Sequence, residues 1–149
     1  SSREEEISLS EEVKTLENYL SLEQQMSVNK FEYIININTK EIDAEEILIP
    51  PLLIQPFIEN SIKHGFQNID YLGEINITFS VHRGFLECSI RDNGIGIEKS
   101  KKQRKKHHQS MALQVTKDRL ENISAKNSLQ ITEDNGTFIS FRIPLKTDF

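Results

Sequence analysis

The chain has 149 residues, of which 36% are hydrophobic and 28% are charged, with a formal net charge of −5. These values are typical of one globular domain with a single core. The single cysteine excludes an internal disulfide, which argues against an oxidised secreted scaffold and for a reducing cytosol. No uninterrupted apolar run approaches the roughly 20 residues that cross a bilayer, and no signal-peptide pattern begins the chain.

The first element is predicted to be an amphipathic helix from Leu9 to about Met26. Apolar residues recur at 9, 13, 16 and 20, which is a helical spacing. Ser10, followed by Glu11 and Glu12, suits the helix start, because acids favour the positive end of the helix dipole. This apolar stripe has to pack either on the domain itself or on a partner helix. The alternating segment FEYIININ (31–38) then predicts a strand.

A proline-bounded apolar block, 47–65, predicts a second helix that begins at about Leu52. Pro50-Pro51 cannot lie inside a helix but suits its entry, and Gly65 supplies a stop. One arc of the helical wheel is apolar and comprises Leu53, Ile54, Phe57, Ile58 and Ile62. The opposite arc is polar and comprises Gln55, Glu59, Asn60 and Lys63, with His64 at its flank. The apolar arc is expected to pack on a sheet and the polar arc to face outward.

The rest of the chain predicts two hairpins and one helix. The strands GEINITFSVHR (73–83) and FLECSIRD (85–92) meet at Arg83-Gly84, and Cys88 is expected to be a small buried hydrophobe. A helix from about Met111 to Ala125 precedes two strands, SLQITE (128–133) and TFISFRIP (137–144). This order predicts an α+β fold, an α/β two-layer sandwich with a mixed sheet and helices on one face.

Two polar motifs stand out, although neither is specific by itself. Glu59 and Lys63 are spaced to form an i,i+4 pair on a solvated helix face. RDNGIGI (91–97) places an acid at the end of a strand, before glycines that let backbone approach a ligand, but a tight turn explains it equally well.

Together, in this order and with two strands between them, the motifs resemble the N box and G1 box of the GHKL nucleotide-binding superfamily. IPPLLIQPFIENSIKHG (49–65) is similar to the signature of LytS/YehU-like sensor histidine kinases. YLSLEQQMSVNKFEYIININ (19–38), VTKDRLENI (115–123) and NGTFISFRIP (135–144) resemble further segments of that family. The resemblance covers essentially the whole chain and implies a Bergerat-type fold with a mainly antiparallel sheet.

This resemblance implies a role for each polar residue in binding Mg·ATP. Asn60 would coordinate Mg²⁺, Glu59 would orient a metal-bound water or assist deprotonation of the acceptor, and Asp92 would accept a hydrogen bond from the adenine amine. The residues that would bind nucleotide are Asn60, Lys63, His64, Asp92, Gly94, Gly96, Ile97, Ser110, Ala112, Leu113 and Thr137.

The basic segment EKSKKQRKKHHQ (98–109) holds six of the 18 Lys and Arg residues and one of the 23 acids. From the residues alone it is a nucleic-acid tail, a solvated loop or a flap over an anion. No aromatic residue is interleaved, so base stacking has no support. The resemblance favours an ATP lid at about 97–113 and no nucleic-acid partner.

Two departures from the family pattern matter. Many relatives carry a glycine where this chain has Ala112, which suggests an alternative: a degenerate interaction module that binds ATP weakly or not at all. In addition, none of the histidines, His64, His82, His107 and His108, has the context of a phosphoacceptor. Another GHKL enzyme, such as a gyrase-class ATPase or an anti-sigma serine kinase, is disfavoured by the IPPLLIQP phrase.

The resemblance therefore implies the catalytic domain of a two-component protein histidine kinase. Residues 1–28 are predicted to end a dimerisation helix and linker, and 29–149 to form the ATP-binding domain. The γ-phosphate would pass to a histidine on a dimerisation domain outside these residues, in a homodimer, and then to a response regulator of the LytTR type. The domain is expected to be cytoplasmic, attached to the membrane only through other parts of its parent protein.

Overall fold

The computed structural model describes residues 5–96, 111–124 and 128–149. Its helices are α1 (Leu9–Met26), α2 (Gln55–Asn60) and α3 (Met111–Ile123). Its strands are β1 (Ile7–Ser8), β2 (Phe31–Asn38), β3 (Ile47–Ile49), β4 (Gly73–His82), β5 (Phe85–Asp92), β6 (Gln130–Glu133), β7 (Thr137–Pro144) and β8 (Lys146–Thr147). A π-helical turn, Ser61–Gly65, continues α2 directly.

The main sheet has five strands in the order β2-β4-β5-β7-β6. Only the β2–β4 pair is parallel, and the other three pairs are antiparallel, so the predicted mixed, mainly antiparallel sheet is confirmed. A small second sheet, β1-β3-β8, was missed because strands of two or three residues leave no periodic signal. The part of the chain that the structure describes contains no helix long and apolar enough to cross a membrane.

One face of the main sheet packs on the helices. Along β4 the alternate residues Ile75, Ile77 and Phe79 are buried, whereas the side chains between them are more exposed. The buried faces of β4, β5 and β7 join residues of all three helices in one hydrophobic cluster. Cys88 belongs to this cluster, as predicted. The helices thus cover one side of the sheet, and the two-layer prediction is confirmed.

The stripe of α1 packs into this same domain. Leu9, Val13, Leu16 and Leu20 are buried in the core. The helix is capped by Ser8, whose Oγ accepts a hydrogen bond from the Glu11 N–H at 3.1 Å, rather than by Ser10. The division of the chain at residue 28 stays a prediction, and the packing shows no break there.

The second helix begins later than predicted. Residues 51–54 form a turn, and α2 starts at Gln55 with Pro56 in its first turn, where a missing N–H costs nothing. Leu52 adopts a φ of 61° and its side chain is 48% exposed. The helix thus starts within one turn of the predicted position, with Pro56 in its first turn as expected, and long-range contacts keep residues 51–54 out of it. Those contacts come from Glu12 and Arg119 and are described below.

Candidate functional site

The buried carboxylate of Asp92 lies at the point where the two sequence motifs meet. It is 5% exposed and ends strand β5. Its Oδ1 accepts hydrogen bonds from the Gly94 N–H at 2.9 Å and from the Thr137 N–H at 3.3 Å. Its Oδ2 accepts from the Ser61 hydroxyl at 2.5 Å. One carboxylate thus joins the N-box segment (49–65), the glycine motif (91–97) and strand β7.

Burial raises the pKa of Asp92 above the ordinary range, although the bonds from Ser61, Gly94 and Thr137 oppose the shift. The hydroxyl of Ser61 also lies 3.3 Å from the Phe57 carbonyl. A hydroxyl has one proton, so Ser61 donates to only one of these two acceptors at a time. A protonated Asp92 would donate to Ser61 and leave the Ser61 proton for Phe57. The hydrogen bonds around Asp92 can therefore be made in either protonation state of its carboxyl group.

Glycine is required where the G1-like motif touches the end of the N-box segment. The Ile95 N–H donates to the Gly65 carbonyl at 2.8 Å. A Cβ at Gly94 would lie 2.5 Å from that same carbonyl oxygen. Gly136, in the β6–β7 turn, has a φ of 134°, and a Cβ there would lie 2.0 Å from the Asp92 carbonyl oxygen. Backbone approaches from two sides therefore enclose Asp92.

Asn93 holds this turn against strand β4, a role that sequence reasoning missed. Its Oδ1 accepts from the Glu74 N–H at 2.7 Å, and its Nδ2 donates to the Leu72 carbonyl at 3.1 Å. The Tyr71 hydroxyl donates to the Asn93 carbonyl at 2.6 Å. An Asn between an acid and a glycine is a turn signal, but its partners across the sheet leave no local trace in the sequence.

Asn60 is the last residue of α2, and its Oδ1 is buried with no hydrogen-bond partner in the described structure. A buried amide oxygen without a donor is costly, and a bound ligand, ion or water would remove that cost. The atom fits a hard cation such as Mg²⁺, which prefers oxygen ligands. The described residues contain no group of three His, Cys, Asp or Glu side chains that could hold a metal by themselves. Phosphate and water oxygens would have to complete the coordination of such a cation.

The other predicted residues of α2 and the π-helical turn lie on the less buried side. The Glu59 carboxylate accepts from Gln55 Nε2 at 3.4 Å and is half-buried. Lys63 is exposed and His64 is half-buried. The π geometry is set by the Phe66 N–H, which donates to the Ser61 carbonyl at 2.9 Å. Such turns are frequent at functional sites.

The predicted lid lies mostly outside the described residues, including Ile97, Ser110 and the basic segment 98–109. The same holds for the side chain of Ala112. Leu113, in α3, is half-buried against the core. Gly96 has a φ of 89°, which suits a glycine. Thr137 is 7% exposed and lies opposite Asp92 in the β5–β7 ladder. Asp92, Gly94 and Thr137 thus form one hydrogen-bonded group with Ser61, which follows Asn60 in the chain.

This fold and this grouping define a class of ATPase. Residues 50–147 match the family described as histidine kinase-, DNA gyrase B-, and HSP90-like ATPase (HATPase_c), and the chain belongs to this family.

As the sequence suggested, the chain is similar to sensor proteins of the LytS type. The chain is 34% identical to the sensor protein LytS of Staphylococcus saprophyticus over 151 residues, which covers 95% of this chain and 25% of that protein. It is 38% identical over 95 residues to LytS of Staphylococcus epidermidis, which covers 64% of this chain and 16% of that protein. The chain therefore spans a quarter or less of these relatives.

Solved structures share the fold at low sequence identity. The catalytic domain of histidine kinase ThkA superposes with a TM-score of 0.64 at 15% identity and covers 95% of both chains. The mycobacterial sensor histidine kinase MprB gives 0.60 at 14% identity and covers 96% of this chain and 99% of its own. ThkA in complex with the response regulator protein TrrA gives 0.58 at 16% identity, covering 94% of this chain and 41% of the ThkA chain.

Proposed function

We propose that this chain is the ATP-binding catalytic domain of a sensor histidine kinase and that it binds Mg·ATP between α2 and the predicted lid. The observation that carries the proposal is the buried carboxylate of Asp92, which joins both motifs through Ser61 and Gly94. In this arrangement Asp92 accepts a hydrogen bond from the adenine amine, while Asn60 faces the phosphates. Lys63 and His64 supply a positive charge or hydrogen-bond donors near the phosphates. Glu59 orients a metal-bound water or assists deprotonation of the acceptor histidine.

Catalysis in such a site is mostly positioning and charge neutralisation, which fits a domain with no evident nucleophile. Mg²⁺, held in part by Asn60, would neutralise the phosphate charge during in-line transfer. The chain's own residues bind the base, orient the triphosphate and limit access of water. The acceptor histidine belongs to a dimerisation domain, and the phosphoryl group then passes to a response regulator of the LytTR type. The complex of ThkA with its regulator supports a partnership of this kind.

Asn60→Ala is expected to weaken binding of Mg·ATP about tenfold or more, the effect of losing one strong ligand to a charged group. Binding in the absence of Mg²⁺ should change little, because the adenine contact at Asp92 remains. Calorimetric titration with a non-hydrolysable ATP analogue, with and without Mg²⁺, measures both quantities. Asn38→Ala, which removes an exposed amide from the edge strand β2, is the matched control.

Two results would contradict these assignments. If Asn60→Ala keeps the full increment in affinity that Mg²⁺ gives the wild type, Asn60 does not bind the metal. If the folded wild-type chain binds no nucleotide at all, the alternative of a degenerate interaction module is favoured, in which Ala112 has replaced a needed glycine.

The chain by itself is expected to form no phosphohistidine when it is incubated with Mg·ATP. The physical reason is that none of its four histidines has the setting of an acceptor on a dimerisation helix. The measurement is incubation with γ-labelled ATP followed by an assay for acid-labile, base-stable phosphate. Addition of a separately produced dimerisation domain from a LytS relative provides the positive control. Labelling of the isolated chain would show that it carries its own acceptor.

A further inference from the structure

The turn that precedes α2 is held in a conformation that the chain alone does not favour. Leu52 adopts a φ of 61°, a left-handed conformation that is unfavourable for a residue with a Cβ. Strain of this kind persists only where surrounding contacts fix it, and it is frequent near functional sites. The contacts around residues 51–54 therefore need an explanation.

From one side the turn is held by a buried carboxylate of α1. Glu12 is 1% exposed, and its Oε2 accepts from the Leu52 N–H at 2.9 Å, across 40 residues of chain. Burial raises the pKa of Glu12, while the amides of Leu52 and Leu53 and the charge of Arg119 oppose that rise. The second oxygen, Oε1, is buried without a partner among the described residues. Burial of a carboxylate costs free energy unless its oxygens are hydrogen-bonded, and one oxygen of Glu12 has no such partner among the described residues, so stability alone does not account for Glu12.

From the other side the turn is held by a guanidinium of α3. Arg119 Nη2 donates to the Pro51 carbonyl at 2.8 Å, and Nη1 lies 3.5 Å from the Leu52 carbonyl. Helix α3 begins at Met111, within the last residues of the segment predicted to be the lid (97–113). The Leu52 N–H thus donates to a residue of α1. The carbonyls of Pro51 and Leu52 accept from a residue of α3.

The turn leads directly into the helical segment that carries Asn60. α2 has six residues, and Asn60 is the last of them. The far end of the segment is fixed by Ser61, which donates to Asp92, and by Gly65, which accepts from Ile95. α2 lies between these two fixed ends, so release of the near end removes one of the constraints that set the position of Asn60.

We propose that Glu12 is a positioning residue of the nucleotide site: with Arg119 it fixes the turn at Leu52 and so holds Asn60 in place to receive the metal-bound phosphates. This inference rests on the proposed function, since Asn60 is its point of action. The proposal also implies that a displacement of either α1 or α3 would change nucleotide affinity, because both helices hold the turn at Leu52.

The test compares Glu12→Ala with Glu12→Gln and with the control Glu11→Ala, which removes the exposed neighbouring acid. Glutamine keeps an oxygen that accepts from Leu52, so Glu12→Gln should bind Mg·ATP within about twofold of wild type. Glu12→Ala should lose about 5–20-fold, as expected for a lost buried hydrogen bond, and the loss should fall on the increment in affinity that Mg²⁺ supplies. Arg119→Ala should lose the same increment, and the double variant should lose less than the product of the two single effects.

A merely structural role would lower the melting temperature of Glu12→Ala and leave its affinity unchanged when titrated well below that temperature, which would overturn the proposal. Equal loss in Glu12→Ala and Glu12→Gln would overturn it too, because the acceptor would then not matter.

A readout without nucleotide separates this proposal from the proposed function. In Glu12→Ala the Asn60 side-chain NH₂ resonances and the Leu52 amide exchange rate should change, while resonances of β6 should not. If the wild type binds no ATP but these changes appear, the proposed function fails and the positional link stands. If they do not appear, the link fails whatever the wild type binds.

Discussion

Asp92→Asn is expected to weaken ATP binding about 10–100-fold, the range for a lost hydrogen bond to a charged group. The Asn Oδ1 can still accept from the amides of Gly94 and Thr137, which fixes the orientation of the side chain. Its Nδ2 then occupies the place of Asp92 Oδ2 and donates to Ser61. A donor would therefore replace an acceptor where the adenine amine is proposed to bind. Calorimetric titration with an ATP analogue measures the loss.

The fold should survive this change, because each hydrogen bond of Asp92 has a counterpart in the variant. Asp134→Asn is the matched control, since Asp134 lies in the nearby β6–β7 turn, with a side chain 67% exposed and an ion pair to Arg91 at 3.4 Å. Exposed pairs of this kind contribute little, so the control should bind ATP as the wild type does. If Asp92→Asn keeps both the wild-type affinity for ATP and the preference for ATP over GTP, Asp92 does not contact the adenine base.

The same variant should be more stable than wild type at neutral pH. The pKa of Asp92 is raised in the folded state by burial, so the folded protein holds this proton at pH values where the unfolded chain has lost it. The ionised carboxylate therefore lowers stability above the raised pKa. This penalty decreases as pH falls through the raised pKa towards the unfolded value of about 3.9.

Denaturant unfolding of wild type and Asp92→Asn between neutral and mildly acidic pH measures this difference. The stability gap between the two proteins should narrow as the pH falls. Glu12, whose pKa is also raised, is present in both proteins and cancels in the comparison. A gap that widens on acidification would show that Asp92 is stabilised as a carboxylate in the folded state.

The long elements could be predicted because their signals are local. The spacing of apolar residues in α1 and the alternation in β2, β4, β5 and β7 each follow from which face meets the core. The Arg83-Gly84 connection was recognisable as a tight turn, and both residues have positive φ, 49° and 82°, as a two-residue hairpin turn requires. These parts of the fold depend on residues close together in the sequence.

The turn at 51–54 could not be predicted, because its conformation depends on residues far along the chain. Glu12 was interpreted as an acid that favours a helix start, and nothing in its neighbourhood indicates burial against Leu52. Arg119 reaches the Pro51 carbonyl across 68 residues. The doublet Pro50-Pro51 is compatible both with a helix entry and with the observed turn, so local chemistry left the choice open.

The sequence predicted the motif residues of the candidate site. It did not predict the residues that hold those motif residues in place. Asp92, Gly94 and Asn60 were found through a resemblance that joins two segments, and their roles as nucleotide ligands stay predictions. Ser61 and Asn93 hold the site together but have partners 31 and about 20 residues away. A small polar residue beside a motif carries no signal until its partner across the fold is known.

Gly94→Ala is expected to destabilise the domain by about 2–3 kcal/mol, the cost of overpacking a closely packed site, and to abolish detectable ATP binding. The added Cβ would lie 2.5 Å, 2.7 Å and 2.8 Å from the O, C and Cα atoms of Gly65. All three are backbone atoms, so no side chain can rotate away. The end of the π-helical turn must then move from strand β5, which breaks the bond from Ile95 to Gly65 and displaces Asp92 from Ser61. Thermal and denaturant unfolding, together with the titration, measure both effects.

Alanine substitutions at two other glycines serve as controls for Gly94→Ala. Gly84→Ala has no atom within 4 Å of its new Cβ but keeps a φ of 82°, so it should cost only the backbone strain of about 1 kcal/mol and leave ATP binding intact. Gly65→Ala places its Cβ at ordinary distances of 3.8 Å and 3.9 Å from Asp92, so of two glycines in contact only Gly94 should be intolerant of a methyl group. Equal effects of Gly94→Ala and Gly84→Ala would mean that the close approach of Gly94 to Gly65 is relieved at little cost. A selective loss in Gly94→Ala would instead make close contact between the two motifs the physical requirement of the site.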